Sequence, residues 1–363
     1  MLAFEVIALP DGEGSGVARG RSFAEVFDPR ANGLNFVRLL LAILVILYHS
    51  FPLTGTPIPF DPVKRLIGQV WVDAFFAISG YLIVSSWVNR PRVWAFLRAR
   101  LLRIYPAFWV CLLVTAFVIV PVVTGVLGSD NVRYIFANAT LFITQYDIAG
   151  TPDGVPYPGA WNGSLWTLFW EFLCYLGVLA LGVLRLFRWR WTIPLAFGVA
   201  LAASVAAAAG LTSNGWIVNG SRFGLMFLAG AMLWRFQKVL PVRTGWILGS
   251  VAVIALSTLL PNYRLLGALP VAYVVLVLGA LLTSPKLRFK NDISYGVYIY
   301  AFLVQQVLAT WGLWQLGWFA FFLIATVATV PLATLSWFLV ERPALRLKGK
   351  RAPADPAVVA SVP

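Results

Sequence analysis

The sequence has little charge for its size. Charged side chains make up 12% of the 363 residues, whereas 60% of the residues are hydrophobic. A chain of this composition cannot bury its apolar surface in one soluble core, so we expect it to occupy a lipid bilayer. The basic excess, 28 Lys and Arg against 14 Asp and Glu, is typical of cytoplasmic loops in a membrane protein. We therefore expect no nucleic-acid partner.

Histidine and cysteine are also scarce. One histidine cannot build a two-histidine zinc site. Cys111 and Cys174 both lie in apolar segments, where a small apolar role is expected rather than a disulfide or metal site. A nucleophile-elbow pentapeptide and a phosphate-binding glycine loop are missing too. We predict no metal and no permanently bound cofactor, so any chemistry must come from polar residues in or beside the apolar segments.

Long apolar segments dominate the chain. A membrane-crossing helix needs about 20 residues. Ten segments meet this length, near residues 34–53, 70–88, 104–127, 163–185, 191–211, 221–236, 244–261, 265–284, 294–313 and 317–340. The sequence therefore predicts an all-α, polytopic membrane bundle of about ten transmembrane helices. We place the membrane domain at 34–343, between an N-terminal tail, 1–33, and a disordered C-terminal tail, 344–363.

Basic residues gather in alternate loops. If the N-terminus is inside, the inner loops take most of the Arg and Lys, at 90–103, 185–190, 235–243, 286–290 and 342–351. The outer loops keep few. This asymmetry follows the positive-inside rule, so we predict that both termini are cytoplasmic.

The first apolar segment carries an arginine and the chain's one histidine. Arg38 and His49 are eleven positions apart, which is close to three helical turns and about 16 Å of rise, so they share one helix face. Ionisable groups at such depth usually mark functional sites. The alternative is an arginine that reaches the interface and a histidine that hydrogen-bonds to a neighbour.

An aspartate lies near the start of the second segment. Asp73 is predicted at about the depth of His49, and Ala77 and Gly80 follow it as a small-residue face that permits close helix approach. A carboxylate beside a histidine fixes its tautomer and stabilises its protonated form. The alternative is an aspartate that caps the helix start.

The fourth segment, "GSLWTLFWEFLCYL", carries a polar stripe. Ser164, Thr167, Glu171 and Tyr175 recur at helical spacing, so the stripe is expected to face the bundle interior or a cavity. Glu171 then has either a catalytic role or a structural one as a hydrogen-bond node.

Two arginines lie three apart in "RARLLRIYP". Arg100 and Arg103 share a helix face at the predicted cytoplasmic boundary. Paired guanidinium groups match the oxygens of a phosphate. The alternative is ordinary positive-inside anchoring.

Several of these patterns occur together in a fixed order. The Arg38 and His49 spacing is followed by "VDAFFAISGYL", "RLLRIYP", "SLWTLFWEFLCY", "SYGVYIYAF" and "VERP". The ordered set resembles the bacterial acyltransferase 3 family of integral membrane O-acyltransferases, over about residues 34–343.

The resemblance implies a multi-pass enzyme of the bacterial inner membrane. Such an enzyme moves an acyl group, most often acetyl, from acyl-CoA to a hydroxyl of a surface carbohydrate or lipid-linked glycan. His49 is our candidate general base, because an unperturbed histidine pKa near 6.5 suits proton transfer near neutral pH. Asp73 or Glu171 would orient it.

Other side chains are expected to hold the substrates. The donor phosphates are assigned to Arg38, Arg100 and Arg103. Substrate binding is assigned to Trp166, Tyr298 and Arg222, and the oxyanion would need a donor such as Tyr298, Trp166 or a backbone amide.

Two other classes of protein remain open. Buried Glu, Asp and His side chains also suit a proton-coupled transporter or glycan flippase, although the two halves show no repeat of interrupted helices. A membrane scaffold for polysaccharide assembly is the third. Binding or hydrolysis of acetyl-CoA discriminates, because neither alternative requires it.

Overall fold

The computed structural model describes residues 21–348, and its regular elements in that range are helices. Isolated β-bridges occur there at Ser22–Pro241 and Ile148–Thr151. The predicted all-α fold is confirmed. Residues 1–20 and 349–363, which hold most of the two predicted tails, lie outside the described residues.

The helices are numbered in chain order. Their bounds are α1 Phe23–Val26, α2 Leu34–Leu53, α3 Asp61–Asn89, α4 Val93–Val114, α5 Val120–Thr124, α6 Ser129–Asn138, α7 Thr167–Val183, α8 Thr192–Ala208, α9 Gly215–Phe236, α10 Thr244–Ser257, α11 Arg264–Leu281, α12 Ser294–Thr310, α13 Trp318–Ser336 and α14 Arg342–Arg346. Two π-helical turns, Thr115–Ile119 and Trp337–Glu341, join α4 to α5 and α13 to α14.

A helix lies within or overlaps each of the ten predicted segments. In the described range, six helical stretches are long and apolar enough to cross a membrane: Leu34–Leu53, Asp61–Asn89, Val93–Thr124, Gly215–Phe236, Arg264–Leu281 and Trp318–Arg346. Helices α7, α8 and α10 are shorter but apolar. The chain is therefore a multi-pass helical membrane protein, and ten as the number of crossings stays a prediction.

Helix α3 begins well before the predicted segment 70–88. It starts at Asp61, whose carboxylate lies in the first turn and favours helix initiation, and Pro62 follows at a position where proline is tolerated. The predicted segment omits residues 61–69 because this part of the helix is more polar. Asp73 therefore lies in the helix interior, and the interpretation of Asp73 as a helix cap is wrong.

Contacts divide the chain into two compact units. Of the described residues, unit 1 comprises 21–41, Asp61–Val88 and Leu181–Asn291. Unit 2 comprises Ala42–Phe60, Asn89–Ala180 and 292–348. The division falls within α2, after Leu41, so Arg38 belongs to unit 1 and His49 to unit 2.

In unit 1, α3 and α9 cross with their backbones in contact. A Cβ atom added to Gly80 would lie 1.8 Å from the carbonyl oxygen of Phe227, and one added to Gly230 would lie 1.8 Å from that of Ala77. Such close approach requires small residues at the crossing. The predicted small-residue face of α3 is confirmed, and α9 is the helix that it approaches.

The first described residues also pack on unit 1. The backbone N–H of Phe23 donates to the carbonyl oxygen of Leu240 at 2.7 Å. The Phe23 ring is fully buried, stacks on Phe27 and meets the edge of Tyr81. The end of the predicted tail 1–33 thus takes part in the fold.

In unit 2, the connection between α6 and α7 is held against α12. The Gln306 side-chain amide donates to the carbonyl oxygens of Tyr157 at 2.8 Å and Ala160 at 2.7 Å. Trp161 is fully buried, and its indole N–H donates to the Thr151 hydroxyl at 3.1 Å. The long connection is therefore built into the core of unit 2.

Candidate active site

His49 lies near the C-terminal end of α2, in unit 2. Its ring is half-buried and makes an edge contact with Phe302 on α12, with the ring centroids 5.2 Å apart. It also interacts with the backbone of Val45, one turn earlier. Its Nδ1 atom is buried. The imidazole is therefore held between the backbone of its own helix and the Phe302 ring.

Helix α12 fixes the part of α2 that carries His49. The side-chain amide of Gln305 donates to the Ile46 carbonyl oxygen at 3.1 Å and to the Ser50 hydroxyl at 3.0 Å. Gln305 and Ser50 are fully buried. These bonds, with the Phe302 contact, set the position of the imidazole within unit 2.

Arg38 occupies the same continuous helix as His49. Between them, Ala42 and Val45 on the predicted shared face are 0% and 3% exposed. The face therefore points into the protein rather than toward solvent or lipid.

Asp73 is fully buried in unit 1 and is held by three side chains. Its Oδ2 atom accepts hydrogen bonds from the Tyr263 hydroxyl at 2.5 Å and from Arg264 Nε at 2.6 Å. Arg222 Nε lies 3.5 Å from its Oδ1 atom. Arg222, which we expected to bind substrate, thus stands beside the predicted catalytic aspartate. Asp73 and His49 belong to different units, and their pairing stays a prediction.

Arg103 joins distant parts of unit 2 through ion pairs. Its Nη2 atom lies 2.6 Å from the carboxylate of Asp292, and its Nη1 atom lies 3.3 Å from that of Glu341. The Ser294 hydroxyl donates to Asp292 at 2.5 Å. The motifs "RLLRIYP" and "VERP" and the start of α12 therefore meet at one guanidinium group.

Arg100 and Glu171 share a second polar group in unit 2. The Arg100 guanidinium lies 5.8 Å from the centre of the Tyr175 ring, and the Tyr175 hydroxyl donates to the Glu171 carboxylate. The charges of Arg100 and Glu171 also act on each other. The structure thus brings together the arginine assigned to the donor and the glutamate assigned to catalysis.

Tyr298 lies beside the start of α7. Its hydroxyl is hydrogen-bonded to the Thr167 hydroxyl and donates to the Ser164 carbonyl oxygen at 3.1 Å. Ser164, Thr167 and Tyr175 are all buried, which confirms that the polar stripe faces the interior. Trp166 is half-buried.

The sequence reasoning missed four charged or polar partners. Arg264 and Tyr263 bind Asp73, whereas Asp292 and Glu341 bind Arg103. Glu341 lies within the motif "VERP". The residue types were visible, but their partners lie more than a hundred residues away.

Comparison with known proteins agrees with this helical membrane architecture. The chain matches the acyltransferase 3 family, described as an acyltransferase domain, over residues 31–338, and it belongs to that family. It is therefore an acyltransferase, as the resemblance implied.

Three relatives match over most of their own length. An O-acetyl transferase of Shigella phage Sf6 is 29% identical over 332 residues, covering 86% of this chain and 96% of the relative. Nodulation protein 10 of Rhizobium leguminosarum bv. viciae is 30% identical, covering 87% and 94%. The exopolysaccharide production protein ExoZ of Rhizobium meliloti (strain 1021) is 26% identical, covering 83% and 95%. No solved structure is significantly similar.

Proposed function

We propose that this protein transfers an acetyl group from acetyl-CoA to a hydroxyl of a bacterial surface polysaccharide or its lipid-linked precursor. Membership of the acyltransferase 3 family supports the reaction class. The names of two relatives, an O-acetyl transferase and an exopolysaccharide production protein, support the acyl group and the acceptor class. The enzyme would lie in the inner membrane with both termini cytoplasmic.

The observation that carries the mechanism is the placement of His49, the chain's one histidine, on α2 against the Phe302 ring of α12. In the proposed step, the oxygen of the acceptor hydroxyl attacks the carbonyl carbon of the thioester, and His49 takes the proton of that hydroxyl. The tetrahedral intermediate then collapses, the carbon–sulfur bond breaks, and His49 returns the proton to the departing thiolate. An O-acetyl ester and coenzyme A are the products.

The donor is proposed to lie along the Arg38 and His49 face of α2. Their separation of about 16 Å is comparable to an extended pantetheine arm, so a phosphate held by Arg38 would place the thioester near His49. Arg103 was assigned to the same phosphates. Since Asp292 and Glu341 already occupy two of its nitrogens, we expect it to contribute less than Arg100.

Supporting roles go to the other polar residues. Asp73 or Glu171 would orient His49 and stabilise its protonated form. Tyr298 or Trp166 would donate a hydrogen bond to the oxyanion. The hydrogen bonds of the Tyr298 hydroxyl to Thr167 and Ser164 place that hydroxyl in unit 2. Arg222 would bind the substrate.

Purified protein in nanodiscs tests the proposal. We expect it to consume radiolabelled acetyl-CoA, slowly with water alone and faster with the lipid-linked glycan of the source strain as acceptor. The labelled product should carry an alkali-labile ester. Folded protein that neither binds nor consumes acetyl-CoA would favour a proton-coupled transporter or flippase instead.

A further inference from the structure

The Asp73 cluster in unit 1 contains more positive than negative charge. Two guanidinium groups, those of Arg222 and Arg264, lie within 3.5 Å of one carboxylate. Asp73 is 0% exposed, and the side chains of Arg264 and Arg222 are 7% and 24% exposed. One carboxylate cannot neutralise two guanidinium groups, so the partly exposed Arg222 can pair with an additional anion.

Two charge groups in unit 2, one around Arg103 and one around Arg100, show the opposite balance. The residues involved are Arg100, Arg103, Glu171, Asp292 and Glu341. Three carboxylates there accompany two guanidinium groups, so the negative charges outnumber the positive charges by one. These two groups therefore do not share the positive excess of the Asp73 cluster.

One hydrogen-bonding atom of this cluster is unused. Arg264 donates through Nε to Asp73 and through Nη1 to Asn262 at 3.3 Å, whereas its buried Nη2 atom has no partner in the described chain. The Nε atom of Arg222 instead faces Asp73 Oδ1 at 3.5 Å. A buried donor left unbonded is unfavourable, so Arg264 Nη2 favours an acceptor that residues 21–348 do not supply.

Aromatic rings reduce this charge only in part. The Arg222 guanidinium lies 4.7 Å from the ring centre of Phe223, and that of Arg264 lies 4.9 Å from the ring centre of Tyr263. Such contacts accept no hydrogen bond from an N–H in the guanidinium plane. They hold the two groups in place.

We propose that Arg222 and Arg264 bind one anionic oxygen group, a phosphate or a carboxylate, with Asp73 and the two rings fixing their positions. Guanidinium groups match the oxygens of both anions. The source is either a phosphate of the donor or an acidic group of the acceptor. Only the source of the anion rests on the proposed function. The site itself is argued from the positive charge of the Asp73 cluster and from the unused Nη2 atom of Arg264.

The test measures binding of inorganic phosphate and of acetate to the full chain in nanodiscs of zwitterionic lipid, by calorimetry without acetyl-CoA. We expect saturable binding to the wild type. Arg222→Gln should weaken it about tenfold or more, which corresponds to the loss of one charge-assisted hydrogen bond. Arg133→Gln, a change at an exposed arginine of α6, should bind as the wild type does.

A second variant extends the test. Arg264→Gln should weaken phosphate binding as Arg222→Gln does. The site is refuted if the wild type shows no saturable binding, or if Arg222→Gln binds as tightly as the wild type.

Competition then identifies the source. Displacement of phosphate by coenzyme A but less by dephospho-coenzyme A assigns the anion to the donor, and no displacement by either assigns it to the acceptor. Both results support the site. Failure of the proposed reaction shows separately, as absent acetyl-CoA consumption by protein that still binds phosphate.

Discussion

At the scale of single residues, each arginine is defined by the carboxylates around it. Arg103 lies between Asp292 and Glu341, whereas Arg222 and Arg264 share Asp73. A guanidinium group that contacts two carboxylates has its charge neutralised and its position fixed. Two guanidinium groups that share one carboxylate retain a positive charge that can pair with a further anion. The same residue type therefore serves structure in unit 2 and is available for binding in unit 1.

Arg103 should matter most for stability. Arg103→Gln removes the ion pairs to Asp292 and to the 2%-exposed side chain of Glu341. Breaking a buried pair by removing one partner costs roughly 3–5 kcal/mol, and we expect the lower end because Arg103 keeps some exposure. Thermal unfolding in nanodiscs should show a clearly lowered midpoint. Arg98→Gln, at an exposed position of the same helix, should leave the midpoint nearly unchanged.

Arg100 should matter for the donor. Its guanidinium packs on the rings of Phe96 and Tyr175 beside the charge of Glu171. We expect Arg100→Gln to weaken coenzyme A binding about tenfold, the effect of one charge-assisted hydrogen bond. If this variant binds coenzyme A as tightly as the wild type does, Arg100 acts only in positive-inside anchoring.

At the scale of elements, the crossing of α3 and α9 sets the position of Asp73 and Arg222. Gly80 and Gly230 allow backbone contact, and the two charged residues lie on the same pair of helices. A larger residue at the crossing would separate both helices. The charge cluster would then lose its geometry although none of its members had changed.

Glycine substitutions on α9 test this crossing. Gly230→Ala places a Cβ atom 1.8 Å from a backbone oxygen, so the helices must move apart. Overpacking costs about 1–3 kcal/mol, and more where the neighbour is backbone. Gly224→Ala on the same helix meets nothing within 4 Å and is the matched control. A drop in melting temperature for Gly230→Ala alone is expected, and equal stability of the two variants would contradict the crossing.

Apolar runs predicted the helices well, and polar stretches predicted little. The first part of α3 and the whole of α6 are polar and escaped a search for long apolar segments. The connection held by Gln306 escaped it too, because its bonds run to backbone atoms far along the chain. Periodicity gives the face of a helix on which a residue lies, whereas the neighbouring helix is set by packing. Tyr263 and Arg264 could therefore not be assigned to Asp73 from sequence.

At the scale of the whole molecule, the two units carry different parts of the proposed machinery. His49, Arg100 and Glu171 lie in unit 2, and Asp73 and Arg222 lie in unit 1.

A double-mutant cycle tests whether His49 and Asp73 act together in catalysis. If they do, Asp73→Asn should lower acetyl-CoA consumption strongly in the wild type and little further in His49→Ala. A fully active Asp73→Asn enzyme would move the orienting role to Glu171.

The measurement that tests the central claim most directly is the O-acetyl ester content of surface glycan in a null strain complemented with His49→Ala. We predict no O-acetylation at a membrane protein level equal to that of the wild type, because the variant lacks the general base. Complementation with Tyr48→Phe, a change at the neighbouring residue, should restore normal O-acetylation. Near-normal O-acetylation by His49→Ala at equal protein level would contradict the account.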